Sequence, residues 1–287
     1  MKEDLCKLIL EKRPNVSPNT IKTYCSTLSS LYKKLDGENG LKFFQTNKKQ
    51  ILKYIDDLSS NQSKKTTLSA LFIITDDEDY HEKMIHYANK VNNAYKEQKT
   101  DPDRLKNLPT LEQIREKYNI YKNNLKSNPT IENYIDYFIV AVTCTALMPP
   151  RRNEWVMMKV KNYTNEDNYA TSKEFVFNKF KTAKFKSDDE KKMIIPDELN
   201  KMIKRFKKIS DNDYLIYNHS TGKPLTSSQF TRRLNKIYGE NIGIDAIRSV
   251  YLTDLYKGIP KLKELEEIAD NMGNTISSQL NYYVKHD

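Results

Sequence analysis

Four short segments in the second half of the chain carry side chains that could act together on a phosphodiester. They are Pro149-Pro150-Arg151-Arg152-Asn153-Glu154, Lys181-Thr182-Ala183-Lys184, Asp245-Ala246-Ile247-Arg248, and Met272-Gly273-Asn274 followed by Tyr282-Tyr283. In chain order they supply Arg, Lys, Arg and a terminal Tyr. Two guanidiniums and an ammonium can hold phosphate charge while a phenolic oxygen attacks phosphorus, a set that requires no metal. The chemistry this set implies is cleavage of a DNA strand.

The bulk of the sequence fits a polyanionic partner. Lys+Arg number 48 against 38 Asp+Glu, a formal net charge of +10, which draws a protein to nucleic acid. An AT-rich coding genome, which favours Lys and Asn, also raises the Lys content without function. No 18-residue apolar run is present and the Met-Lys-Glu-Asp start lacks a signal-peptide core, so the expectation is a soluble, non-secreted, intracellular protein in host cytoplasm, nucleus or a virion. Cys6, Cys25 and Cys144 are few and unpatterned, which predicts buried thiols in a reducing compartment rather than a disulfide frame or a zinc knuckle. None of the seven glycines forms a phosphate-cradling loop, so no nucleotide is expected. His81 and His86 are five residues apart, which turns a helix by about 500° and sets the imidazoles about 140° apart. No metal and no cofactor are expected. Asp76 to Asp79 lack a calcium-loop glycine and read as an acidic helix start.

The elements that must position these groups fall on either side of a polar stretch. Residues 1–97 read as helical. Ser17 before Pro18 is an N-cap with Pro at the first helical position, and Ile21, Tyr24, Leu28, Leu31 and Tyr32 repeat at helical spacing. Amphipathic stretches follow at 46–59, 62–74 and 78–97, which predicts a four-helix bundle. Thr20, Lys22, Thr23, Lys64, Lys65 and Thr66 lie among these helices and are of the types that contact DNA phosphates; an ordinary solvated face explains them as well. Residues 98–107 read as a linker. In 108–287, Thr110 with Gln113 makes a capping box, and a helix from Thr130 turns apolar from Tyr134 to Met148, which predicts a buried central helix ended by Pro149 and carrying Arg151 just past its end. Phe175 and Phe177, then Met193 to Ile195, read as the strands of a hairpin arm bearing Lys181, Lys184 and Lys186. A short strand is expected near 214–217, with helices at 197–207, 226–238, 244–257 and 261–272, Gly273 as a stop, and a short last helix with Tyr282 and Tyr283. The expected fold class is mainly α with a small β-hairpin or sheet: a helical domain followed by an α+β domain.

With these segments in this order and on these elements, the chain resembles the tyrosine recombinase (phage integrase) family over nearly its whole length. Residues 1–97 resemble the family's core-binding domain, including Asn19-Thr20-Ile21-Lys22-Thr23-Tyr24 and Lys65-Thr66-Thr67-Leu68-Ser69-Ala70-Leu71, and residues 108–287 resemble its catalytic domain. Carried over position by position, Arg151 matches the first family arginine because Glu154 falls three residues on and apolar Met158 four beyond that. Arg152 is the neighbouring alternative and otherwise a DNA contact. Lys181 matches the hairpin lysine that protonates the leaving 5′ oxygen, with Lys184 as the competing candidate and DNA contact. Arg248 with Tyr251 matches the second arginine segment. Asn274 plus nine residues gives Tyr283 as nucleophile, with Tyr282 as its alternative.

The chain departs from the family pattern at two positions. Asp245 stands where the family usually has His, and Asn274 where it has His or Trp. An asparagine amide can donate to a phosphate oxygen. An ionised carboxylate about 4 Å from a phosphate charge would be repelled by roughly 4 kcal/mol at an effective dielectric of 20. Asp245 must therefore turn away, bind a neighbouring arginine or be protonated, and the expectation is that it orients Arg248 or Arg151.

The resemblance implies a site-specific recombinase working through a 3′-phosphotyrosyl intermediate, two domains clamping double-stranded DNA, a homotetramer on two DNA sites, and a viral or other mobile-element origin. Type IB topoisomerase-like relaxation and a DNA-binding protein on a decayed form of the same fold are the alternatives.

Overall fold

The computed structural model describes residues 1–98, 107–180, 191–272 and 275–278. Two compact units are present: Met1–Lys99 with Pro260–Asp287, and Thr100–Ile259.

In the first unit the described helices are α1 (Lys2–Lys12), α2 (Pro18–Lys34), α3 (Phe43–Thr46), α4 (Lys48–Asp56), α5 (Asn61–Thr75) and α6 (Glu78–Lys96). The four helices expected from periodicity are α2, α4, α5 and α6; α1 and the short α3 join them. Ser17 Oγ accepts from the Thr20 amide at the start of α2, as its sequence predicts. The acidic start of α6 is capped by Asp77 and also paired: Lys48 Nζ lies 2.7 Å from Asp77 and 2.5 Å from Asp79. Leu5, Leu28, Phe44, Ile51, Leu71 and Tyr80 are fully buried in one cluster. Tyr80 can enter it because its hydroxyl donates to the Phe44 carbonyl at 2.9 Å, which removes the cost of a buried unpaired hydroxyl.

The expectation of free thiols fails for two of the three cysteines. Cys6 and Cys25 form a disulfide joining α1 to α2, with Cα atoms 5.6 Å apart, inside the range a bridge requires. Their separation in sequence carries no pairing signal, because only the packing of α1 on α2 brings them together. Cys144 is a buried free thiol, and burial pushes its pKa up to about 11.

The second unit contains α7 (Leu111–Ser127), α8 (Ile131–Thr143), β1 (Met158–Lys159), β2 (Asn168–Ala170), β3 (Glu174–Phe177), β4 (Lys191–Ile194), α9 (Asp197–Ile209), α10 (Ser227–Tyr238) and α11 (Ile244–Leu255). The sheet order is β1-β2-β3-β4, with β1 parallel to β2 and the other neighbours antiparallel. The β3–β4 pair is the expected hairpin, with Phe175 opposite Met193 and Phe177 opposite Lys191. Phe175, Val176 and Phe177 are all buried, so both faces of β3 are covered. Near 214–217 only two isolated bridges form, Lys159 with Tyr214 and Tyr217 with Pro224, rather than a strand.

Helix α8 is buried along nearly its whole length, from Tyr134 through Thr143 except Asp136. It ends at Thr143, well before Pro149. Cys144 closes it through its amide to the Val140 carbonyl, and Thr145 sits at φ 63°, a left-handed conformation that a right-handed helix cannot pass through. The apolar run to Met148 therefore continues as non-helical chain in which Cys144, Thr145 and Met148 are buried and Ala146 is exposed. In the first unit, the described C-terminal elements are α12 (Leu262–Asn271) and α13 (Ile276–Ser278). Helix α12 meets the end of α6 through Lys96–Glu266 and Lys263–Glu97 pairs.

Candidate phosphate-binding site

Arg151 follows the non-helical chain that leaves α8 and precedes a 3-10 turn, Asn153–Met157. The turn is anchored by Trp155, fully buried and edge-on to Phe175 and Phe177 at 4.9 and 5.1 Å. Phe177 also receives the Arg151 guanidinium, whose Cζ lies 4.0 Å from the ring centroid, a cation–π contact strengthened by burial. Glu154 Oε1 is 3.9 Å from Arg151 Nη2, and the two side chains are only 14% and 18% exposed. Burial, and then the like charge of Arg248, press the Arg151 pKa down, while Glu154 presses it up. The group stays cationic. Arg151 Nε, Asn153 Oδ1, Glu154 Oε2 and Trp155 Nε1 are buried without a hydrogen-bond partner among the described residues.

Arg248 approaches from α11, close enough for its charge to act on Arg151. Three residues earlier on the same helix, Asp245 places Oδ1 3.5 Å from Arg248 Nη1 and 3.4 Å from Arg152 Nε. Asp245 is 68% exposed, so the carboxylate that replaces the expected histidine is solvated and shared between guanidiniums. Arg151 and Arg152, adjacent in sequence, thus diverge: one stacks on Phe177 and the other meets Asp245. Two like-charged guanidiniums whose charges act on one another, one with an unpartnered N–H, are side chains of the type that hold an anion of tetrahedral oxygens.

Lys181, Lys184, Asn274, Tyr283 and its alternative Tyr282 lie outside the described residues. In the first unit, Thr20 hydrogen-bonds to Ser17 Oγ at 2.8 Å, and Lys64 is turned inward, donating to the Asp56 carbonyl at 2.6 Å and lying over the Tyr87 ring. Lys22 is exposed and Lys65 half-buried. A 480 Å³ cleft among α2, α4 and α5 is lined by Thr23, Ser26, Ser30, Ser63 and Thr66. Sequence reasoning missed Phe177 as the seat of Arg151 and the Arg152–Asp245 pair. Neither leaves a local signal, since each joins residues distant in the chain. No helix among the described residues is long and apolar enough to cross a membrane.

The chain is similar to known proteins in two comparisons. Its overlap with a crystal structure of XerA recombinase covers 100% of this chain and 95% of that one at 14% identity and a TM-score of 0.32. No curated protein matches the sequence. Residues 7–75, from within α1 to the end of α5, match the model of the phage integrase N-terminal SAM-like domain. Through that segment the chain is similar to the phage integrases.

Proposed function

We propose that this protein is a site-specific DNA recombinase that cuts and rejoins duplex DNA through a 3′-phosphotyrosyl link. The observation that supports the reading most is the seat of Arg151 on Phe177, within reach of the charge of Arg248. A half-buried guanidinium seated on Phe177 feels a second guanidinium nearby and keeps an N–H without a partner, an arrangement stabilised by a bound phosphate.

In this mechanism the Tyr283 phenolic oxygen attacks phosphorus in line. The Oη–P bond forms as the P–O5′ bond breaks, and Lys181 gives its proton to the departing 5′ oxygen. Arg151 and Arg248 hold the charge that builds on the non-bridging oxygens, and Asn274 donates one more hydrogen bond. A 5′ hydroxyl then attacks the phosphotyrosine and restores the phosphodiester. The bond energy is kept in the covalent intermediate, so the scheme uses neither nucleotide nor metal. Residues 1–97 and 108–287 act as the two DNA-clamping domains joined by 98–107, and four copies assemble on two DNA sites of a viral or mobile-element reaction.

The test is incubation of the full chain with nicked suicide duplexes. A covalent protein–DNA adduct that disappears in Tyr283→Phe is the expected result. An adduct that survives there and disappears in Tyr282→Phe reassigns the nucleophile. Tight binding without any adduct leaves a DNA-binding protein, and relaxation of supercoiled plasmid without recombinant product leaves a topoisomerase.

A further inference from the structure

Asp245 ties together the two segments that carry the guanidiniums of the proposed phosphate pocket. Its Oδ1 accepts the charge of Arg248 from its own helix and of Arg152 from the segment after α8. A carboxylate placed three residues before an arginine on one helix face makes a local pair with it, and that pair alone would cancel the charge Arg248 offers an anion. Sharing one oxygen between two guanidiniums changes this balance. Arg151, Arg152 and Arg248 against Glu154 and Asp245 leave one net positive charge in the cluster. Without Arg152 they leave none.

We propose that Arg152 is a positioning residue: it draws Asp245 into a shared contact, so that Arg248 is held in place without being neutralised. The assignment rests on reading the Arg151–Arg248 pair as a phosphate pocket, and it identifies the residue that sets the pocket's charge. Arg152 acts through Nε, the edge of a planar fork that lysine does not have.

The experiment titrates the full chain with inorganic phosphate and follows arginine Nε–Hε signals by NMR in the parent protein, Arg152→Gln, Asp245→Asn and the double variant. Arg152 is half-exposed, so folding is preserved, which thermal melts check. Arg152→Gln should weaken phosphate binding about tenfold and loosen the Arg248 Nε–Hε signal, yet weaken binding no more than about threefold once Asp245 is Asn. Equal losses in both backgrounds would show Arg152 touching the anion itself and overturn the proposal. So would an Arg248 signal that Arg152→Gln leaves unmoved. If the parent protein takes up no phosphate, the pocket reading falls, while the Arg248 signal still decides the positioning role.

Discussion

At the scale of single residues, Arg151 owes its place to a ring and a carboxylate, both shielded from water. Its replacement by lysine keeps the charge but loses the flat guanidinium on Phe177 and, in the proposed mechanism, one edge for the phosphate. Adduct formation on a suicide duplex should fall about 100-fold or more in Arg151→Lys, the scale of one lost transition-state donor, with thermal stability measured alongside. Glu154→Gln keeps the shape but removes the counter-charge, and a smaller loss, about tenfold, is expected in the same assay. Arg151, Glu154 and Arg248 were legible in the sequence because their intervals repeat a family pattern. The Phe177 seat and the pairing of Arg152 with Asp245 were not, because contacts between segments distant in the chain depend on packing, which no interval records.

At the scale of elements, α8 was legible as a buried helix from its apolar run, broken by one charge, but its end was not. Pro149 marked a plausible stop, whereas the backbone turns left-handed at Thr145, a choice made by packing around Cys144 rather than by a local breaker. The one charged interruption in the buried stretch, Asp136, is matched from α10: Arg233 reaches Asp136 at 2.7 Å and Glu132 at 2.5 Å. Burial pushes the Asp136 carboxyl pKa up, and Arg233 pulls part of that back. Arg233→Met leaves the carboxylate unpaired and should cost about 3–5 kcal/mol at pH 7 by urea unfolding. Removing Arg233 raises the native pKa further above the unfolded value of about 3.9. The folded state then binds the proton more tightly than the unfolded chain, so the deficit should shrink as pH falls through that raised value, since a protonated Asp136 needs no counter-ion.

At the scale of the whole molecule, the net charge of +10 predicts that binding to duplex DNA weakens steeply with salt. Lys22→Ala and Lys65→Ala should each reduce the log–log salt slope by about 1 if the residue meets a phosphate. Lys64→Ala should instead lower the melting temperature with little change in slope, because Lys64 is engaged by the Asp56 carbonyl and the Tyr87 ring. Composition gave the sign of the net charge and periodicity gave most of the helices. The bridge between Cys6 and Cys25 and the short strands β1 and β2 escaped, since pairing between distant segments has no period to read.

The way α8 and α11 are seated gives the two arginines unequal mechanical footing. The chain before Arg151 leaves a helix buried from Tyr134 to Thr143 apart from Asp136, whereas the buried residues of α11, Ile244, Ala246 and Ile247, are confined to its first turn, and Leu252 and Leu255 face solvent. Arg248 is thus cantilevered from a helix clamped at one end, opposite a fixed abutment. Amide hydrogen exchange should be slowest along α8 and quicken toward the far end of α11, so that accommodation of a phosphate would be borne by the Arg248 arm alone.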